Sequence, residues 1–237
     1  MKQRQKLIPL ILILLLSANS FAQRAVSKPD RLKPKIGVRA GLNLSNFLEE
    51  DNDGINSRGY EVLIGFHACM FVEIPLSNRF AFEPGLMISR KGYQNSDEWT
   101  DSIGQFHEYY EMKSPYYIDI PLLFSVSQDF GTFGLYGAAG PYLGIGIAGG
   151  IYDENKIDGI KEDSDYKISW GGTEGKDDFK HMDWGFTFGM GVKIKSFQVS
   201  FYYDLGMGNI SVDRENDLSI NNKVARISLS YVFGKIE

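Results

Sequence analysis

The sequence predicts an all-β fold, an eight-stranded antiparallel up-and-down β-barrel that spans a membrane. Three observations carry that prediction: apolar and polar residues alternate with a period of two in segment after segment, the links between segments alternate short and long, and an export signal opens the chain.

Residues 1–22 read as a cleaved signal peptide. Lys2, Arg4 and Lys6 form a positive n-region, Leu7 to Leu16 an apolar h-region, and Ser20-Phe21-Ala22 a small-x-small cleavage site before Gln23. The apolar stretch is short for a spanning helix, although an uncleaved N-terminal anchor is the alternative. No cysteine follows the cleavage site to carry a lipid anchor. Residues 23–34, with Pro29 and Pro34 among charges, read as a flexible periplasmic leader, and 35–237 as the barrel.

Eight segments have two faces: 35–46, 60–75, 79–92, 107–126, 131–152, 183–195, 197–208 and 223–234. The last shows the pattern best. Ala225, Ile227, Leu229, Tyr231 and Phe233 share one side, and Arg226, Ser228 and Ser230 the other. Short links are expected at 76–78, 127–130 and 195–196, and long polar loops at 47–59, 93–106, 153–182 and 209–222. Short turns at one end and long loops at the other are the arrangement of outer-membrane barrels, with both termini periplasmic.

Phe133 to Ile151 is the one stretch that competes with this reading, being 19 residues without a charge and containing a GxxxG from Gly146 to Gly150. Seven glycines and Pro141 weaken any helix there, so a glycine-rich strand is expected, with Pro141 at a bulge or a position that donates no ladder bond.

Composition agrees. Gly 26, Tyr 13 and Phe 16 suit a curved, tilted sheet with aromatic girdles at two interfaces. The signal removes three basic residues, taking the formal net charge from −5 to −8, which excludes nucleic acid as an electrostatic partner. The single cysteine, Cys69, has no internal disulfide partner and reads as a buried, inert thiol.

Gly37 to Asn46 (GVRAGLNLSN), Gly65 to Leu76 (GFHACMFVEIPL), Ile118 to Phe124 (IDIPLLF), Phe82 to Gly92 (FEPGLMISRKG), Ala139 to Gly144 (AGPYLG) and Tyr203-Asp204-Leu205-Gly206 occur in an order and spacing that resembles the PorT-like outer-membrane β-barrel family of Bacteroidetes. The resemblance covers essentially the whole mature chain. It implies an eight-stranded barrel of OmpA/OmpX type in the outer membrane of a Gram-negative bacterium. Through the name-giving branch, it also implies a link to protein secretion and maturation. It implies no particular biochemistry.

By the same alternation, Arg39, His67, Glu73, Glu83, Asp119, Lys193, Asp204 and Arg226 point inward. An eight-stranded barrel is just wide enough to fill with side chains, so these charges must pair with one another. Asp204 and Arg226 lie on neighbouring strands at similar heights and are expected to pair. Glu73 and Glu83 flank the first short turn and need a cation, with Arg39 the nearest available. The same charges lining a narrow conduit is the competing possibility.

A catalytic set would have to use His67, His107 or His181, the only histidines. Ser102, Ser114 or Ser169 are conceivable nucleophiles, and Glu108 or Asp183 conceivable orienting acids. No spacing favours such a set, so no enzyme and no cofactor is expected. The acidic 153–182 loop reads as solvated, with divalent-cation binding as the alternative, and Asp51-Asn52-Asp53-Gly54 as a simple Asx/Gly turn. Tyr93, Trp99, Tyr109, Tyr110, Tyr152 and Trp184 read as girdle residues near the long-loop end.

Three functions remain open: a non-enzymatic barrel whose loops serve adhesion, protein contact or envelope integrity; an accessory of an export assembly; and a soluble periplasmic lipocalin-like ligand carrier. Expected partners are outer-membrane lipid and lipopolysaccharide, and other envelope or secretion proteins met through the loops.

Overall fold

Each two-faced segment is a strand in the computed structural model, which describes residues 33–51, 54–55, 60–213 and 218–233. The expected signal (1–22) and nearly all of the leader lie outside the described residues, and Pro34–Glu237 forms a unit by itself. The chain runs β1 (Lys35–Asp51), β2 (Gly54–Ile55), β3 (Glu61–Pro75), β4 (Phe80–Arg90), β5 (Tyr93–Thr100), β6 (Phe106–Asp129), β7 (Gly134–Ile157), β8 (Ile160–Lys167), β9 (Met182–Ile194), β10 (Phe197–Gly206) and β11 (Ser219–Val232).

Eight of these close a ring. β1, β3, β4, β6, β7, β9, β10 and β11 pair antiparallel in that order, and β11 returns to β1 from Gly37↔Val232 to Glu50↔Ser219. Closure leaves the ring without an unpaired edge, the condition for exposing a sheet to hydrocarbon. Short turns and both strand termini, Lys35 and Val232, lie at one end, and the long connections at the other.

Strand faces follow the sequence period. Along β10, Gln198, Ser200, Tyr202 and Asp204 are buried, while Phe197, Val199, Phe201 and Tyr203 are exposed. The same inversion holds around the ring, with Ile64, Phe66, Met70, Phe124, Leu135, Phe188 and Ile227 all on the outside. From Ile64 to Ile74 a strand rises roughly 33 Å, or about 25 Å along the axis of a ring tilted near 40°, the height of a lipid-facing band. An apolar exterior and a polar interior are the reverse of a soluble carrier, and the lipocalin-like expectation is corrected on that ground.

The three remaining strands depart from the expected loops. β5 continues β4 after a bend at Lys91 and Gly92, and pairs with β6 from Tyr93↔Lys113 to Thr100↔Phe106. Gly92 has φ +125°, and any Cβ there would collide with the Lys113 carbonyl. β8 folds back on β7 from Gly150↔Lys167 to Ile157↔Ile160. β5, the outer halves of β6 and β7, and β8 thus make a four-stranded sheet beyond the lipid band. Both its faces carry polar residues, so the sequence shows no amphipathic signal there.

Phe133 to Ile151 lies largely in β7, and no described helix is long and apolar enough to cross a membrane. The β6–β7 ladder is interrupted opposite Pro141, between Pro121↔Tyr142 and Phe124↔Ala139, so the missing N–H costs no ladder bond. A bulge at Tyr116/Tyr117 then shifts the β7 register, turning odd-numbered residues inward beyond Gly146.

Candidate functional site: the filled interior and the outer sheet

Side chains fill the ring in tiers from the short-turn end upward. Lys193 Nζ lies 3.2 Å from Glu73 Oε2 and 4.9 Å from the Tyr136 ring centroid. Above it, the Arg39 guanidinium sits between the Phe71 and Tyr202 rings, donates to Ser230 Oγ (3.0 Å) and reaches Glu83 Oε2 (3.4 Å). Buried Cys69 packs here with Phe71, Met87 and Val232. Glu73 therefore meets Lys193 across the ring, and Arg39 serves Glu83 alone.

Near mid-height Arg226 Nη2 donates to Asp204 Oδ1 (2.7 Å), which also accepts from Thr187 Oγ1 (2.7 Å). His67 bridges Asn43 Oδ1 (2.8 Å) and Ser228 Oγ (2.9 Å). Asn43 Nδ2 donates to the Phe66 and Arg90 carbonyls, so its Oδ1 accepts from His67 Nδ1, and Nε2 bonds the Ser228 hydroxyl. The order Ser228–His67–Asn43 is that of a nucleophile relay, but all three are buried between filled tiers with no route for a substrate.

The upper tier holds two residues that the sequence reading missed as interior ions. Lys91 Nζ lies 2.9 Å from Asp119 Oδ1 and 2.9 Å from Asp183 Oδ2. Asp183 also accepts from Asn222 Nδ2 (3.0 Å) and the Tyr142 hydroxyl (3.3 Å), while the rings of Tyr117 and Tyr142 flank the ammonium. The signal was present: Glu83, Met87 and Ser89 alternate inward along β4, and the next step is Lys91. Asp183 likewise starts the inward series Asp183, Gly185, Thr187.

An apolar cap covers this tier. Phe47, Tyr93, Ile151, Ile168, Phe179 and Ile210 form one buried cluster, with Tyr60, Trp170 and Ile220 against it. Trp170 lies over Gly146, where any Cβ would overlap the indole, and meets Tyr117 edge-on at 5.5 Å. His181 stacks on Trp170, and its Nδ1 bonds the Gly146 carbonyl (2.9 Å). The 153–182 stretch expected to be a solvated loop is therefore half hairpin and half cap, with Ile168 and Phe179 buried in the cap, Trp170 packed against them, and the acids of β8 left exposed. Asp177 and Asp178 cap backbone N–H groups of Thr173 and Ser169. Among the described residues, no group of three His, Cys, Asp or Glu side chains is placed to hold a metal, and Asn52 and Asp53 lie outside them.

His107, at the outer sheet, pairs with Asp101 (3.2 Å) and stacks on Trp99 at 5.0 Å. Neither His107 nor His181 has a serine hydroxyl among its hydrogen-bond partners in the described residues; Ser114 Oγ donates to the Gly150 carbonyl. The two faces of the outer sheet differ in charge. On one, Lys161 and Lys156 lie 2.9 and 3.0 Å from Glu154, and with the Tyr152 hydroxyl, the largest influence, they hold its carboxyl down at about 2. The other face, continuous with the ring interior, carries Asp97, Glu111, Asp153 and Glu162, and only Lys113 among them.

A closed antiparallel ring with an apolar exterior and an ion-filled interior defines an outer-membrane-type β-barrel. Residues 21–212 match the outer membrane protein beta-barrel domain family, and the chain belongs to that family; its place is the outer membrane. No curated protein sequence matches the chain. Among solved structures it is similar to Ail, the attachment invasion locus protein of Yersinia pestis, in complex with a heparin analogue (11% identity, 85% of this chain and 99% of that one, TM-score 0.31). It is also similar to Neisserial surface protein A (12%, 84% and 97%, TM-score 0.34) and to the outer membrane protein AlkL (15%, 91% and 99%, TM-score 0.35).

Proposed function

We propose that the chain is exported by a signal at 1–22, cleaved before Gln23, and serves as a non-enzymatic, non-conducting barrel. Its short-turn end faces the periplasm, and its outer sheet and cap present a contact surface to the outside, with lipid and lipopolysaccharide around the wall. One observation carries this reading: Lys193–Glu73, Arg39–Glu83, Arg226–Asp204 and Lys91 between Asp119 and Asp183 occupy the lumen in successive tiers beneath an aromatic cap. A lumen of packed, paired ions leaves no column of water for conduction.

The purified protein in planar bilayers is expected to show no stable single-channel steps. Steady currents that scale with protein amount would contradict the filled-lumen reading. The resemblance of Gly37 to Asn46 and Ile118 to Phe124 to PorT-like proteins supports a second reading, an accessory of a secretion assembly. Crosslinking in the native envelope that recovers secretion subunits would favour it; recovery of none would remove it.

A further inference from the structure

The outer sheet holds more negative charge than the chain as a whole. Its strands and hairpin tips, 93–113 and 150–167, contain eleven carboxylates against four lysines, a formal balance of −7, where the whole chain stands at −5. The register divides that charge unequally. Lys156 and Lys161 lie on one face, within 4.0 Å of Glu108, Glu154 and Asp163. On the opposite face, Asp97 stands beside Tyr109, Glu111 beside Asp153, and Glu162 beside Asn155. Glu111 and Asp153 are directly opposed, a separation of about 5 Å, while Asp97 and Glu162 stand one step outward as diagonal neighbours at about 7–8 Å, so the four carboxylates form a shallow arc across four strands. Lys113 neutralises Glu111, and among the described residues no basic side chain pairs with Asp97, Asp153 or Glu162.

Aromatic surface lies beside the arc. Trp99 and Tyr166, each 46% exposed, stand at its two sides, and Tyr109 lies within it. Partial burial, with the field of Glu111 and Asp153, pushes the Tyr109 phenol up to about 12, a mark of how much negative potential converges there. Carboxylates spaced one strand apart and flanked by half-exposed aromatic rings, with His107 on only one face of Trp99, complement guanidinium groups, which pair with carboxylates and stack on rings.

We propose that this face of the outer sheet is a docking surface for an arginine-rich, extended polypeptide segment. The proposal rests on the part of the functional reading that turns the long-loop end outward. Asp97, Asp153 and Glu162 supply the ion pairs, and Trp99 and Tyr166 the stacking surfaces.

The test uses the full chain in phosphatidylcholine nanodiscs, with nona-arginine as probe and nona-glutamate and dextran as controls. Nona-arginine is expected to bind saturably and to weaken as salt rises, with neither control binding. The combined Asp97→Asn, Asp153→Asn, Glu162→Gln variant is expected to lose roughly tenfold in affinity. The charge-matched variant of the other face, Glu98→Gln, Glu108→Gln, Asp163→Asn, should stay within about twofold of wild type. Absence of saturable binding, an unchanged first variant, or an equal loss in the second would overturn the proposal. A conducting barrel that still bound nona-arginine on this face would sink the filled-lumen reading and leave this one standing.

Discussion

Lys91→Met is expected to produce the largest loss of stability of any single substitution in the ring. The ammonium is fully buried and shared by Asp119 and Asp183, both also buried. Removing it leaves two carboxylates facing each other beneath the cap, with only Asn222 and Tyr142 donating to one of them. Breaking a buried pair from one side costs about 3–5 kcal/mol, and here one substitution breaks two. Urea unfolding in lipid vesicles, followed by heat-modifiable gel mobility, should show at least that loss. Lys113→Met, at a half-exposed pair with Glu111, should cost under about 1 kcal/mol. The triple variant Lys91→Met, Asp119→Asn, Asp183→Asn removes the stranded charges and should recover much of the deficit. A Lys91→Met protein as stable as wild type would show that the triad does not hold the upper ring together.

The second large effect is expected on the opposite side of the wall. Ile227 is 55% exposed, stands between Leu42 and Phe201 in register, and lies near mid-height of the band. Ile227→Arg would carry a guanidinium into hydrocarbon at a cost of about 2–4 kcal/mol near the bilayer midplane. Tyr166→Arg, at a position 46% exposed but on the outer sheet, should change stability by less than about 0.5 kcal/mol. The contrast separates a lipid-facing wall from ordinary surface. Equal, small effects at both positions would mean that the band is not in hydrocarbon.

The ring was legible in the sequence because closure imposes one rule on every strand. A residue facing lipid must be apolar, its neighbours face a filled lumen, and a slip of one residue inverts both. That rule is enough to place Arg39, Glu83, Asp204 and Arg226 inward. It also suggests Asp204 with Arg226, since their strands adjoin. It does not reveal contacts across the lumen, where Glu73 on β3 meets Lys193 on β9, or Lys91 after β4 meets Asp183 on β9. Those depend on the diameter and stagger of the ring, which no single strand encodes. Beyond the band the rule lapses. Past Tyr93, which enters the cap, β5 has polar residues on both faces, as β8 does, and neither shows a period, so Tyr93–Thr100 and Ile160–Lys167 read as loop. Ile168, Trp170 and Phe179 are three apolar residues in a charged stretch, and their destination became visible only beside Gly146, whose missing side chain makes room for the indole.

The most direct test of the account is a nitroxide scan along β11, one cysteine at a time from Val224 to Val232, in a Cys69→Ser background in lipid bilayers. Collision with molecular oxygen, which concentrates in hydrocarbon, should oscillate with a period of two and peak at Ala225, Ile227, Leu229 and Tyr231. Peaks at Arg226, Ser228 and Ser230 instead, or a flat profile, would contradict a wall with lipid outside and paired ions within.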